Sequence, residues 1–389
     1  MTMHTVLIVL LYTLLVAWFV YTAISIVAVR SWRKQLFFAD LKFTPTVSLL
    51  KPVKGLDAGA EANFRSFCQQ DYPADHIEII FGALDSADPA LVLAAQMQTE
   101  YPNLRIKVVA APANTPECEN LKVRNLMAML PHATHDYLVL SDSDMRVAPD
   151  YLQNILAPFS NAASKVGLVT CPYRGYGPKS IASILEALAI GSEFVPGTLV
   201  SRMLEGVTFA FGATIVVRAS DLQEIGGLPR FANVLADDYQ MAQAMLAHGK
   251  TLVAAPHVVD DVMGGETLRS IWRRRLRWAR TIRVSRPGGY AGSVVTYGTV
   301  IALLAPLLGG IHLVPMLTVA TVWATRAIAA WLIAGYTGDT TIKRWWPLIP
   351  ISDVFSTALF VMCYLGNTVY WRGERFLVHR DGSFTRVTE

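Results

Sequence analysis

From Val6 to Val29 the chain carries no charged residue, and Leu, Val, Ile and aromatic side chains fill the run. About 20 apolar residues suffice to cross a bilayer, so this stretch predicts a spanning helix. A cleaved signal peptide is the competing reading. The length of the run and the lack of a small-residue cleavage site speak against it. Arg30, Arg33 and Lys34 follow at once, whereas the N-terminal flank has no Lys or Arg. The positive-inside rule then puts the rest of the chain in the cytoplasm, with residues 1–35 as its anchor.

The pattern changes between residues 45 and 290. Short β-branched runs end in turn or charged residues: Val47–Leu50, Ile77–Gly82, Ile106–Val109 and Tyr137–Leu140. Helix-like stretches such as Ala62–Gln70 and Pro89–Tyr101 separate them. Strands alternating with helices predict βαβ units, hence an α/β domain with a mostly parallel sheet. In such sheets ligands sit beyond the carboxyl ends of the strands.

Apolar patterning returns from Gly292 to Ala334, broken by Gly309-Gly310 and Pro315, with Arg326 its one charge. A further run, Leu348–Tyr370, contains only Asp353. Residues 291–371 therefore predict two or three spans, followed by a basic tail over 372–389. Arg326 reads either as facing a polar headgroup or as marking a span boundary. Counting every run as a crossing would put the tail outside, against its Arg372, Arg375, Arg380 and Arg386. A re-entrant or interfacial segment near 292–314 removes that conflict.

Composition agrees with a bilayer. Of 389 residues, 53% are hydrophobic and only 16% charged, against about a quarter charged in soluble domains. The net charge of +4 is modest and does not suggest nucleic acid. Four scattered cysteines without a CxxC pair argue against structural zinc and against a disulfide framework.

The strongest chemical signal is Leu138-Val139-Leu140-Ser141-Asp142-Ser143-Asp144. On an extended strand, residues i and i+2 point the same way, so Asp142 and Asp144 are candidate ligands of one Mg²⁺ or Mn²⁺. Such a cation also binds phosphate oxygens and would neutralise a diphosphate leaving group. Asp85 follows a strand as well, placed either to accept from a base or ribose or simply to shape its turn. Asp237-Asp238 precede a helical stretch, Gln240–His248. An N-cap accounts for one acid; a general base for an acceptor hydroxyl accounts for the second. Seven arginines lie between Trp272 and Arg286, with Trp272 and Trp278 among them. They read either as an amphipathic helix on anionic headgroups or as forks for a diphosphate.

In order, Asp85, Asp142-Ser143-Asp144, Asp238 and Arg274-Arg275-Leu276-Arg277-Trp278 resemble the ceramide glucosyltransferase family, with its three spaced aspartates and (Q/R)xxRW. Leu50–Gly55, Gln70–Pro73, Asn120–Leu126 and Val166–Val169 support the likeness, which runs from about residue 45 to 290. Phe209–Thr214 and Arg277–Arg283 look closer to bacterial hopanoid-biosynthesis glycosyltransferases, whereas Ile190–Gly197 does not match the acceptor side of eukaryotic ceramide enzymes. The resemblance implies a GT-A fold and inverting, metal-assisted transfer of a hexose from a UDP-sugar to a lipid hydroxyl. It makes UDP-glucose and ceramide the first pair, with UDP-N-acetylglucosamine and a hopanoid polyol as the alternative. Asp85 would bind the uridine part, and Asp142 and Asp144 the metal-diphosphate. Asp238 would be the base. Arg277 and Trp278 would close over the diphosphate and acceptor, with Arg274 in the (Q/R) position and Lys51 and Lys122 as further donor contacts. The implied setting is a bacterial inner membrane with the catalytic domain in the cytoplasm. Two rival readings are a processive polysaccharide synthase and a membrane protein that only binds a nucleotide-sugar.

Overall fold

A computed structural model describes residues 2–35, 42–161, 163–371 and 373–387. Its centre is a seven-stranded sheet made of β1 Val47–Pro52, β2 Ile77–Ala83, β3 Arg105–Ala110, β4 Tyr137–Leu140, β5 Val166–Thr170, β6 Ile215–Arg218 and β7 Thr251–Ala254. The spatial order is β3-β2-β1-β4-β6-β5-β7. Strands β1 to β4 pair in parallel, as do β5 and β7; β6 alone runs antiparallel to both its neighbours. Side chains alternate between the faces. Leu49, Ile79 and Val139 enter one core with Phe64, Phe67 and Tyr151. Leu50, Ile80 and Leu138 enter the other with Leu126, Met129 and Met245. Burying each such Leu or Ile contributes about 1.5–3 kcal/mol, which explains why these strands read as continuous apolar runs.

The helices around the sheet are set by their caps. Asp88 caps Pro89–Glu100 through the Ala90 N–H, and Asn120 caps Leu121–Met129 through the N–H groups of Lys122 and Val123. The second cap matters for function, because it aims Lys122 from the first turn of its helix at the carboxyl end of β4.

Among the described residues four helices are long and apolar enough to cross a membrane: Met3–Arg33, Ile181–Glu205, Leu313–Thr337 and Thr340–Cys363. Pro287–Thr296 and Gly298–Gly309 form a bent pair at 56°, a broken span or a re-entrant segment. Ile181–Glu205 differs from the others in that 78% of its apolar window is buried inside the protein. Its middle, Ile190–Phe194, is a π-helical turn. Arg326, the lone charge of its run, is paired with Asp353 (Nη2 to Oδ1, 2.9 Å) and donates to the Ser192 carbonyl at 3.0 Å. Neither residue marks a boundary; the two charges satisfy each other between helices.

Gly298 lies against the Trp18 indole so closely that an added β-carbon would overlap the ring. Gly298→Val is therefore expected to destabilise the protein by about 1–3 kcal/mol, read as a lower midpoint of thermal unfolding in detergent. An unchanged midpoint would mean that these two helices do not meet.

The carboxyl end corrects the expected layout. The last apolar run stops at Cys363, and Thr368–Trp371 is a strand rather than the end of a span. It pairs with Glu374–Val378, which pairs with Phe384–Arg386. The expected tail is thus a three-stranded sheet with its own apolar centre, Val369, Phe376, Val378 and Phe384, closed by Leu235. The Phe384 N–H donates to Asn233 O and the Leu235 N–H to Gly382 O, both at 3.3 Å. The sheet thereby braces the loop that leads into Asp237-Asp238. Arg386 pairs with Glu374 at 2.6 Å, while Arg375 and Arg380 are exposed. Arg372 lies outside the described residues.

Candidate active site

The carboxyl ends of β1, β2 and β4 share one edge of the sheet, and the charged residues gather there. Lys51, on β1, is fully buried; its ammonium donates to the Asp142 carbonyl at 2.6 Å and lies 3.9 Å over the Phe67 ring. Burial depresses this ammonium to about 7, against the pull of Asp144, Asp142 and Asp57. The residue thus fixes the backbone of the acidic turn.

Asp142 and Asp144 do not sit on an extended strand. The strand ends at Leu140, and Ser143-Asp144 form a turn into Met145. The two carboxylates meet because the chain bends back, not because alternate side chains share a face. Asp142 takes the Lys122 ammonium at 2.6 Å. Asp144 points inward, and its Oδ1 is buried without a hydrogen-bond partner among the described residues. Burial pushes its carboxyl up to about 7, with the charges of Asp142 and Asp57 adding to the shift. The Ser143 hydroxyl donates to Asp57.

Lys122 links the acidic turn to the second acidic pair. Besides Asp142 it donates to Gly212 O at 3.2 Å and stands 3.9 Å from Asp237. Burial opposes its charge, but Asp142, Asp237 and Asp238 together hold its pKa above the usual lysine range. The helix expected from Gln240 begins at Asp237 itself, so neither acid is the N-cap. Asp237 accepts from the Asn120 amide at 3.2 Å. Asp238 accepts the Gly212 N–H at 3.0 Å and the Tyr239 N–H at 2.7 Å. Burial raises its carboxyl to about 6, aided by Asp237 and opposed by Lys122. A β-carbon on Gly212 would stand 3.3 Å from Asp238, 3.4 Å from Lys122 and 3.6 Å from Asp142. Those side chains therefore converge on one spot, which a side chain at this position would crowd.

The arginine-rich helix, Leu268–Ser285, opens with a capping box between Thr267 and Ser270. Apart from exposed Arg269, its arginines are directed to protein rather than outward. Arg274 forks onto buried Glu186. Arg275 donates to Ser356 Oγ at 2.8 Å, Arg280 to Thr368 O, and Arg283 to Gly366 O at 3.3 Å. Arg273 lies 4.5 Å over Tyr370 and Arg286 donates to Ser201 Oγ at 3.0 Å. Arg277 sits 5.6 Å over the Trp371 ring. Burial and Arg274 lower its pKa to about 10, while Asp237, Asp142 and Asp238 oppose the fall. Trp278 is half-buried on the same helix.

The structure thus brings Lys51, Lys122, Asp142, Asp144, Asp238 and Arg277 together. Asp85 stands apart. It lies in the bend two residues past β2, a strand that stands two strands from β4, about 10 Å at ordinary spacing, and its Oδ1 accepts the Ala87 N–H at 2.9 Å. Four residues of the site carried no spacing signal: Asp57, Gly212, Glu186 and Asp261. Burial, together with Asp144 and Glu186, raises the Asp261 carboxyl well above the usual range.

The model of glycosyl transferase family 21 matches residues 9–384, nearly the whole chain. The chain belongs to that family. It is a glycosyltransferase, and the rival reading of a protein that only binds nucleotide-sugar falls away. Ceramide glucosyltransferase 1 of Caenorhabditis elegans is 23% identical over 353 residues, covering 87% of this chain and 72% of that one. Ceramide glucosyltransferase 3 of the same organism is 20% identical, covering 85% and 72%. Among solved structures, a mannosyltransferase from Pyrobaculum calidifontis in complex with GDP-Man and Mn²⁺ superposes with a TM-score of 0.53 at 20% identity. That match covers 91% of this chain and 99% of the other. The fold is therefore GT-A, with the mostly parallel sheet that the β-branched runs predict.

Proposed function

We propose that this family 21 enzyme transfers glucose from UDP-glucose to the primary hydroxyl of ceramide, with inversion at the anomeric carbon. The observation that carries the reading is the convergence of Asp238, Lys122 and Asp142 around Gly212, each within a few ångströms of where its β-carbon would stand. It puts a base and a diphosphate-side cluster within reach of one reacting centre. The named relatives supply glucose and ceramide as the pair to test first.

Asp142 and Asp144 would hold Mg²⁺ or Mn²⁺. The fit rests on Asp144, whose inward Oδ1 has no partner among the described residues and whose charge is opposed by neighbouring acids. No three His, Cys, Asp or Glu side chains among the described residues form a metal-binding group. Two carboxylates with diphosphate oxygens completing the shell is a common arrangement for these ions. When bound, the ion supplies neutralisation of the leaving diphosphate.

The rest is done by side chains. The acceptor oxygen attacks the anomeric carbon, its proton passes to an Asp238 oxygen, and the bond from that carbon to the diphosphate oxygen breaks. The Gly212 and Tyr239 N–H groups hold Asp238 in place. Lys122 and Arg277 stabilise the departing UDP, and Lys51 keeps the Asp142-Ser143-Asp144 turn in register. Asp85, across the strand ends, suits the uridine. Trp278 covers the sugar. Arg274, now on Glu186, reaches the diphosphate only by leaving that partner.

We place the protein in a bilayer with its catalytic domain on the cytosolic face. Because the carboxyl-terminal sheet packs against Leu235, an even number of crossings separates it from the catalytic domain. The bent pair near residues 287–309 runs from Trp18 to His4, whose Nε2 lies 2.8 Å from the Leu308 carbonyl, and so crosses. Leu313–Thr337 returns to Arg174 of the catalytic domain, and Thr340–Cys363 then stays on that side. The same arrangement keeps the basic tail on the cytosolic side, as the positive-inside rule requires.

Purified protein in ceramide-containing liposomes should convert UDP-glucose to a β-linked glucosylceramide, with the anomer assigned by NMR. An α linkage would refute inversion, and a water-soluble polymer would move the chain to the synthase reading. The acid limb of kcat/KM should follow Asp238: activity needs its ionised form, so it falls as pH drops through about 6. A limb near pH 4 would show that the base is a carboxyl in its ordinary range.

A further inference from the structure

Arg273, Arg277 and Arg280 recur at helical spacing and so share one face of the arginine-rich helix. That face meets the strand Thr368–Trp371. Arg273 lies over the Tyr370 ring, Arg277 over the Trp371 ring, and Arg280 donates to Thr368 O. The carboxyl-terminal sheet is therefore the seat of this helix as well as the brace of the loop before Asp237.

Arg277 differs from its neighbours in what its donors do. Arg274 is engaged by Glu186, Arg275 by Ser356 and Arg280 by Thr368 O. Among the described residues the Arg277 guanidinium makes no hydrogen bond or ion pair. The contact it makes is with the indole of Trp371, 5.6 Å from guanidinium carbon to ring centroid. An aromatic face attracts a cation without presenting a hydrogen-bond acceptor, so the N–H donors stay available to an anion. The charges of Asp237, Asp142 and Asp238 all bear on this guanidinium, which sets it at the edge of the acidic site.

Trp371 is itself held. Its ring centroid stands 5.8 Å from that of Phe384 and 6.4 Å from that of Phe376, in the apolar centre of the small sheet. Phe384 in turn donates its backbone N–H to Asn233 O, in the loop that leads into Asp237-Asp238. One indole thus stands between the arginine on the diphosphate side and the loop that carries the base.

We propose that Trp371 is a positioning residue for the transfer, its ring holding the Arg277 guanidinium toward the diphosphate of a nucleoside diphosphate-sugar. Guanidinium forks suit phosphate oxygens, and the ring leaves the fork unoccupied until they arrive. The inference rests on the donor-site reading above and adds to it the part played by the carboxyl-terminal sheet.

The test uses full-length protein in detergent with Mn²⁺, titrated calorimetrically with UDP and with uridine, which lacks the phosphates. Trp371→Leu should weaken UDP about tenfold and leave uridine unchanged, because the hold on the cation is lost and the nucleoside contacts are not. Trp371→Phe keeps an aromatic face and should lose only about threefold. Arg277→Gln should weaken UDP at least as much as Trp371→Leu. Adding either Trp371 change to Arg277→Gln should cost nothing further, since the indole acts through the guanidinium. Unchanged UDP affinity in Trp371→Leu, a parallel loss of uridine, or losses that add in the double variants would show that Trp371 only supports the fold. Should Trp371→Leu not fold, Trp371→Phe decides: its UDP loss must be present alone and absent in the Arg277→Gln background, or the proposal fails. A wild type that binds UDP no more tightly than uridine would defeat the donor-site reading itself, and this inference with it.

Discussion

Asp238→Asn is expected to lower turnover about 10²–10⁴-fold while leaving donor affinity nearly unchanged. The substitution keeps the side chain's shape and its bond from the Gly212 N–H but removes the atom that takes the acceptor proton. Asp237 does not replace it, because its carboxylate is engaged by the Asn120 amide and faces Lys122 at 3.9 Å. Calorimetric titration of UDP-glucose against the variant measures the binding half of the claim, and turnover with saturating ceramide the other half. A variant that keeps most of its turnover would remove Asp238 from the chemistry. One that loses donor affinity in proportion would make it a binding residue.

The second large effect concerns the acidic turn. Asp144→Asn should abolish binding of Mn²⁺ and reduce turnover about 10²–10³-fold, since the charge on the leaving diphosphate then lacks its main counterweight. Asp142→Asn should cost as much, but with a different signature. It frees the Lys122 ammonium from its 2.6 Å partner, leaving a cation that offsets part of the lost metal charge on the diphosphate. Residual activity without added metal should therefore be higher in Asp142→Asn than in Asp144→Asn. Electron paramagnetic resonance of Mn²⁺ titrated into each variant in the presence of UDP reports the binding. Unaltered Mn²⁺ affinity in both would show that the metal, if used, is held elsewhere.

Much of this was legible in the chain before its structure, and for identifiable reasons. Strands β1, β2 and β4 read correctly because each is buried on both faces and so forms a mainly apolar run, and the edge strand β3 because Ile106, Val108 and Val109 still mark it between exposed ends. The antiparallel β6 left no such mark: Ile215–Arg218 looks like any short apolar run, and only its pairing with β4 and β5 sets its direction. The acids of the site were visible as pairs. Their geometry was not, since the bend after Leu140 and the helix start at Asp237 depend on partners far along the chain. Gly212 reaches Asp238 across 26 residues and Lys122 across 90. Asp57 reaches Ser143 across 86, and no spacing rule spans such distances. The carboxyl-terminal sheet was hidden because Leu348–Tyr370 reads as one apolar run. It divides where Gly366 and Asn367 leave the helix for the strand. The arginines offered two readings, and their packing matches neither directly: tertiary partners such as Glu186, Ser356 and Thr368 draw them inward.

The measurement that bears most directly on the central claim is product identification with purified protein in lipid, Mn²⁺ present. UDP-glucose, UDP-N-acetylglucosamine and GDP-mannose would each be offered with ceramide, diacylglycerol and a hopanoid polyol, and products read by mass spectrometry. Glucosylceramide as the dominant product is the result this account predicts. An aminosugar on a hopanoid, or sugar transfer to none of the lipids despite donor binding, would contradict it.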